Sequence, residues 1–161
     1  MNKVLICLLF VLTACENKTL YHSYQPVSHT GWTKEDTLHF QLPDTLVPGT
    51  YEFQIGIRHL DSYPYRDIWL AFSHNLQDST IYETDTLHLY LADTAGAWLG
   101  DGIGGLMQYN EHLPAHWVQR DSASHRSIKI YHLMSDSILK SIHDVGIKII
   151  ACSELHQSEG K

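Results

Sequence analysis

The chain has 161 residues, 43% of them hydrophobic, and carries 11 Lys and Arg against 18 Asp and Glu for a formal net charge of -7. That balance excludes nucleic acid as a partner, because phosphate contacts require clustered cations and those present are scattered singly, with no polybasic patch for an anionic membrane either. The length suits one domain with one core, and no later stretch has the composition of an interdomain linker.

At the N-terminus, Lys3 precedes an apolar run from Val4 to Leu12 and then Thr13-Ala14-Cys15. This is the layout of a secretory signal, and the run is roughly half of the ~20 apolar residues that a spanning helix needs. Leu12-Thr13-Ala14-Cys15 resembles a lipobox, so residues 1–14 are expected to be a signal peptide and Cys15 the lipidated N-terminus. Two or three acyl chains at about 0.8 kcal/mol per buried CH₂ make a stable anchor. Loss of Cys7 with the signal and acylation of Cys15 leave Cys152 without an intramolecular partner, so the exported domain must rest on its hydrophobic core. Residues 15–20 are expected to form a tether, 21–155 the domain and 156–161 a disordered tail. Glu16, where Asp is an inner-membrane retention signal in enteric bacteria, favours the outer membrane; periplasmic and external faces both stay open.

The domain reads mainly as strands. Apolar residues alternate with polar ones at Leu38, Phe40 and Leu42, and again at Tyr51, Phe53, Ile55 and Ile57. The period of two recurs at Ile68, Leu70 and Phe72, at Leu87, Leu89 and Leu91, at Ile128 and Ile130, and at Val145, Ile147 and Ile149. A seventh strand is expected over Tyr21 to Val27, and one more around Trp98, Met107 or Trp117. Pro43-Asp44 with Pro48-Gly49, and Asp61-Ser62-Tyr63-Pro64, carry turn chemistry that would close two hairpins. Ser135 to His143, with Ile138, Leu139 and Ile142 at helical spacing, predicts one short amphipathic helix near the C-terminus. Together these features predict an antiparallel two-sheet β-sandwich of jelly-roll or Greek-key type with that one helix. Asp-Thr-Leu at 36–38, 44–46 and 85–87 is too irregularly spaced for a repeat and marks turns that open strands.

Catalytic and cofactor motifs do not assemble. Gly100-Asp101-Gly102-Ile103-Gly104-Gly105 matches the spacing of a dinucleotide fingerprint, but Met107 to Pro114 is too short and interrupted for the helix that must follow, so a loop of tight bends is expected. Of the 12 His, His112 and His116 stand four apart as zinc ligands on a helix do, yet Pro114 lies between them and no Glu follows His112. Ordinary strand or surface histidines, and no metal, are the expectation. There is no G-x-S-x-G elbow, no calcium loop of the D-x-D-x-D-G kind, and Cys152 near His156 reads as a buried apolar residue at a strand end. Asp93 and Asp101 are a possible carboxylate pair whose separation sequence does not give. No enzyme activity and no cofactor are expected.

The strands' outer faces are more informative. With Ile68, Leu70 and Phe72 inward, Trp69 points out, and with Leu87, Leu89 and Leu91 inward, His88 and Tyr90 do. By the same rule Glu52, Gln54 and Arg58 share an outer face. The plainest expectation is that a helix or loop covers this face, since exposed aromatics indicate a partner only in large patches; failing that, Trp, Tyr and Arg are the commonest protein-contact residues. The same aromatics suit stacking of sugar rings, with Arg58 and Gln54 bonding hydroxyls.

Gly31-Trp32 with Phe40, the segment R-H-L-D-S-Y-P-Y-R-D-I-W-L from Arg58 to Leu70, Leu91-Ala92-Asp93, G-A-W-L-G-D-G from Gly96 to Gly102, and Asp144-Val145-Gly146-Ile147 occur in an order and spacing that resembles GldH, the gliding-motility-associated lipoprotein family of Bacteroidetes. The resemblance covers nearly the whole mature chain; it departs at Asp67, where Asn is expected, and at 119–125, which lacks a Gly before Arg126. It implies a cell-envelope lipoprotein connected with motility machinery linked to type IX secretion, with no known enzymatic activity, and it does not by itself mean that the cell glides. The resulting expectation is a non-catalytic docking component, lipid-anchored at Cys15, that meets envelope proteins through Arg58, Tyr63, Tyr65, Trp69, Tyr90 and Trp98. The alternative is a lipid-anchored glycan-binding β-sandwich using the same residues on a polysaccharide.

Overall fold

Alternating burial builds the domain. In the computed structural model, which describes residues 18–78, 80–118 and 125–151, the strands in chain order are β1 (Thr19–Pro26), β2 (Trp32–Thr33), β3 (Leu38–Gln41), β4 (Gly49–Leu60), β5 (Asp67–His74), β6 (Glu83–Tyr90), β7 (Asp101–Ile103), β8 (Leu106–Val118), β9 (Ser127–His132), β10 (Ile138–Leu139) and β11 (Ile142–Ala151). The expected signal peptide, Cys15, Cys152 and the expected tail lie outside the described residues, as do positions 119–124. β1 already takes in Thr19 and Leu20.

The strands form a five-stranded sheet in the order β1-β11-β4-β8-β7, a four-stranded sheet in the order β3-β9-β5-β6, and the small pair β10-β2. Pairing is antiparallel throughout. The inner faces meet in one core that includes Phe53, Ile55, Ile57, Ile147 and Ile149 from the first sheet and Phe40, Ile68, Leu70, Phe72, Ile128 and Ile130 from the second. Phe53 and Phe72 meet edge to face across the sandwich with ring centroids 6.4 Å apart, a preferred aromatic geometry. All six strands expected from period-two patterning are present, with the seventh as β1 and the eighth as β8, which at 13 residues is the longest.

Three sequence-based expectations are corrected. Among the described residues there is no helix: Ser135 to His143 instead contributes β10, whose Ile138 and Leu139 pair with Thr33 and Trp32. A nine-residue segment is too short to sustain a helix by itself. Here it gains a ladder partner, while Ser141 at φ 66° adopts a left-handed conformation that ends any helical path. Leu139 and Ile142 are buried, but Ile138 faces solvent, as strand alternation requires and a common helical stripe does not. The sandwich therefore carries this third, two-stranded sheet in place of a helix. The turns at Pro43 to Gly49 and at Asp61 to Pro64 do not close hairpins, because β4 belongs to the five-stranded sheet while β3 and β5 belong to the other. These segments carry the chain from one layer to the next.

The glycine-rich stretch also has a structural explanation. β7 and β8 form a hairpin turned at Gly104-Gly105, both at positive φ. At Gly100, with φ +91°, a Cβ would fall 2.2 Å from the Gln108 carbonyl oxygen, so a strand's backbone, and no phosphate, occupies the space that the missing side chain leaves.

Candidate functional site

The outer face of the four-stranded sheet carries an exposed aromatic ladder. Trp69 on β5 and His88 on β6 are register partners, and their rings stack with centroids 3.9 Å apart and planes 12° off parallel. Tyr90 extends the ladder at 4.5 Å from His88. Trp69 is 40% exposed and Tyr90 55%. His88 is fixed at its other side by Asp67, with Nε2 and Oδ2 2.6 Å apart. Leu133, itself exposed, donates its N–H to the Trp69 carbonyl and widens the apolar surface.

The other candidate residues are distributed around this ladder in an informative way. Tyr63 is buried, so it is no contact residue; its hydroxyl donates to the Asp67 carbonyl. Burial, reinforced by Asp67, raises its pKa far beyond the ordinary tyrosine range, so it remains a donor at every working pH. Tyr65 is half-buried and donates to Asp136 at 2.8 Å. Trp98 is half-buried against His59, with ring centroids 4.5 Å apart. Tyr63 packs between Tyr65 and Trp98, and Asp67 joins this inner group to the ladder by its carbonyl on one side and its carboxylate on the other.

Arg58 is elsewhere. It lies on the outer face of the five-stranded sheet, where its Nε donates to Gln108 Oε1 at 2.9 Å, one terminal nitrogen lies 3.5 Å from Asp144, and its guanidinium sits 3.9 Å above the Tyr24 ring. Tyr24 crosses the sheet over Gly146 and Gly56, which are opposite each other in register. A Cβ on Gly146 would come within 2.6 Å of the Tyr24 ring, and one on Gly56 within 2.2 Å of its hydroxyl. Burial raises the Tyr24 pKa, and the protonated hydroxyl donates to Asn110 at 3.4 Å. Arg58 and Gln54 thus cannot serve a sugar stacked on Trp69 and Tyr90, and the constellation proposed from sequence for glycan binding does not assemble.

One cluster escaped sequence reasoning. His74 of β5, Asp85 of β6 and His116 of β8 converge, with one donor atom from each within 4.8 Å of the others. His112 and His116, considered above as a pair, face opposite ways. Between its partners Phe53 and Tyr51, β4 advances two residues while β8 advances three, from Leu113 to His116. That bulge, at Pro114-Ala115, turns His116 inward and leaves His112 outside against Gln54. Only the pairing of β5 with β6 and the packing of β8 from the other sheet against them bring the three together, so no sequence spacing announces the cluster.

Two further buried histidines make stability pH-dependent. His59 and His132 are fully or almost fully buried, and burial lowers the pKa of each below its ordinary 6.5. The unfolded chain then binds protons more readily than the folded one, so stability is complete above about pH 6.5 and falls as pH drops below it. The midpoint of urea unfolding should therefore be lower at pH 5.5 than at pH 7.5; equal midpoints would show that these rings titrate freely.

The GldH lipoprotein family matches residues 19–149. The gliding motility lipoprotein GldH homolog of Christiangramia forsetii is 25% identical over 157 residues, covering 91% of this chain and 92% of that protein. Among solved structures, the family 35 carbohydrate binding module from Clostridium thermocellum overlaps 81% of this chain and 87% of its own at a TM-score of 0.45 and 14% identity. Eiger TNF from S. frugiperda overlaps 71% and 67% at 0.34 and 15%. Similarities at this level decide nothing about chemistry.

Proposed function

The chain belongs to the GldH lipoprotein family, and from that premise we propose that it is a non-catalytic docking component of gliding-motility or type IX secretion-linked machinery, lipid-anchored at Cys15. The family is one of gliding-motility-associated lipoproteins. The docking role rests on one observation, the exposed Trp69–His88–Tyr90 ladder. Aromatic residues of this kind dominate protein-contact energetics when a partner covers them, and here the Asp67 carboxylate, 2.6 Å from His88 Nε2, holds the central ring in place.

The direction in which the ladder faces supports the reading. Thr19 of β1 pairs with Ile150, and Tyr21 with Ile149, which in turn faces Phe53; Phe53 meets Phe72 and His116. The end of the sandwich nearest the lipid attachment is thus the His74 end of β5. Trp69 lies five residues back along β5, roughly 17 Å away at ~3.3 Å per residue. With an anchor at Cys15, four residues before β1, the ladder stands at that distance along the sandwich from the anchored end, where a partner can reach it. The outer membrane is the favoured location, on the ground of Glu16.

The test is affinity capture from the native envelope after mild detergent extraction, comparing wild type with Trp69→Ala/Tyr90→Ala and with Cys15→Ala. Loss of a discrete set of envelope proteins in the aromatic variant, and release of Cys15→Ala from the membrane fraction, are the expected results. An unchanged set in a folded aromatic variant would end the docking proposal, and a shift of tryptophan fluorescence with polysaccharide would replace it with glycan binding.

A further inference from the structure

From the convergence of His74, Asp85 and His116 we infer a binding site for a borderline divalent cation, Zn²⁺ or a close relative, that clips the two sheets together. The three donors come from three strands, two in the four-stranded sheet and one in the five-stranded sheet. His74 Nε2 lies 3.5 Å from Asp85 Oδ2, and the two imidazole rings meet at 4.9 Å. Atoms within 4.8 Å of one another need only small side-chain rotations to stand ~2.0–2.2 Å from a common ion.

The donor chemistry selects the ion. Two imidazoles and one carboxylate suit zinc, copper or nickel, whereas calcium and magnesium require a shell of oxygens. Glu83 lies two residues before Asp85, opposite His74 in register; on the same face of β6, it is available as a further oxygen donor. Burial differs across the cluster in a way that suits entry from solvent. His74 is buried, His116 is half-buried and the Asp85 side chain is 55% exposed.

The His74 ring also carries a buried Nδ1 that makes no hydrogen bond. A neutral imidazole has one N–H and one lone pair. With the N–H at Nδ1, Nε2 keeps the lone pair that faces Asp85 and is available to ligate a cation.

A clip at this position has a structural purpose. On the proposed reading, in which Cys7 leaves with the signal and Cys15 is acylated, Cys152 has no partner in the exported chain, so no disulfide joins its sheets. The cluster crosses between them beside Phe53 and Phe72, at the end nearest the anchor. Because the unfolded chain lacks the preformed site, binding there raises folding stability.

The experiment uses the full chain, purified in mild detergent and stripped with a chelator, then titrated with Co²⁺ by visible absorption and with Zn²⁺ by calorimetry. One ion per chain, a higher melting temperature with Zn²⁺, and affinity about tenfold or more weaker in Asp85→Asn and His116→Gln are expected, with His112→Gln behaving as wild type. Asp85→Asn changes an exposed carboxylate nearly isosterically and so reports even if His116→Gln fails to fold. Absence of binding overturns the inference, and so does equal affinity in wild type and Asp85→Asn, which would assign the ions to surface histidines.

Discussion

Trp32→Ala is expected to destabilise the domain by about 3–5 kcal/mol, lowering the melting temperature by roughly 10–20 °C at about 4 °C per kcal/mol. Trp32 is completely buried although its strand has only two residues. Its Nε1–H donates to the Asp36 carbonyl at 2.8 Å, its ring meets His132 edge to face at 5.4 Å, and its own carbonyl is within hydrogen-bond distance of His132 Nε2 at 3.1 Å. Truncation therefore opens a large cavity and strands a carbonyl, and the small β10-β2 pair that relies on Trp32 and Leu139 loses its main apolar contact. Against a typical total of about 5–15 kcal/mol, this is a large fraction. Trp32→Phe, which keeps an aromatic ring but loses the donor, should cost about 1–2 kcal/mol. Calorimetric melting of the three proteins decides it; a loss below about 1 kcal/mol for the alanine variant would mean that β2 is peripheral to the core.

How far the sequence reveals this architecture depends on whether local pattern or distant pairing decides each part. β4, β5, β6 and β11 were legible because Tyr51 to Ile57, Ile68 to Phe72, Leu87 to Leu91 and Val145 to Ile149 alternate over several residues with one face in the core. The segment around Ile138, Leu139 and Ile142 was misread because three apolar residues at spacings of one, three and four fit a helix as well as a strand followed by a turn. The partner that settles it, Trp32-Thr33, lies more than a hundred residues away. The supposed hairpins failed for a related reason. Turn residues show where the chain bends, but whether the next strand joins the same sheet or the facing one depends on which layer has room for its apolar face.

The same distinction governs the surface. Trp69 and Tyr90 were legible as outward-facing because their neighbours Ile68, Leu70 and Leu89 fix the alternation. Tyr63 was not, since it belongs to a crossover that dips under β5, where only tertiary packing shows its hydroxyl on the Asp67 carbonyl. Arg58 was read correctly as outward but on an unknown sheet, and the structure places it on the face opposite the ladder. His116 needed most of all: a bulge one residue long decides whether it faces solvent or His74.

Ile55→Glu is expected to cost about 5 kcal/mol or more, enough to leave much of the chain unfolded at 25 °C. Ile55 is fully buried in β4, the middle strand of the five-stranded sheet, and its register neighbours are Ile147 on one side and Glu111 on the other. A carboxylate there enters the core without a cation to meet it, a change that costs several kcal/mol even after relaxation. It also faces Glu111 directly across the β4–β8 ladder, and like charges in that relation destabilise further. Glu111 already accepts a hydrogen bond from the Tyr109 hydroxyl, so it cannot swing away without breaking that contact. Ile55→Val, which keeps shape and polarity, should cost only about 0.5–1.5 kcal/mol. Gln54→Glu, one residue away on the solvent face beside His112, should stay within about 0.5 kcal/mol of wild type. Far-UV circular dichroism through a urea titration separates the three. A near-native midpoint for Ile55→Glu would mean that β4 has slipped by one residue, because such a slip is the one rearrangement that moves position 55 from the core to water.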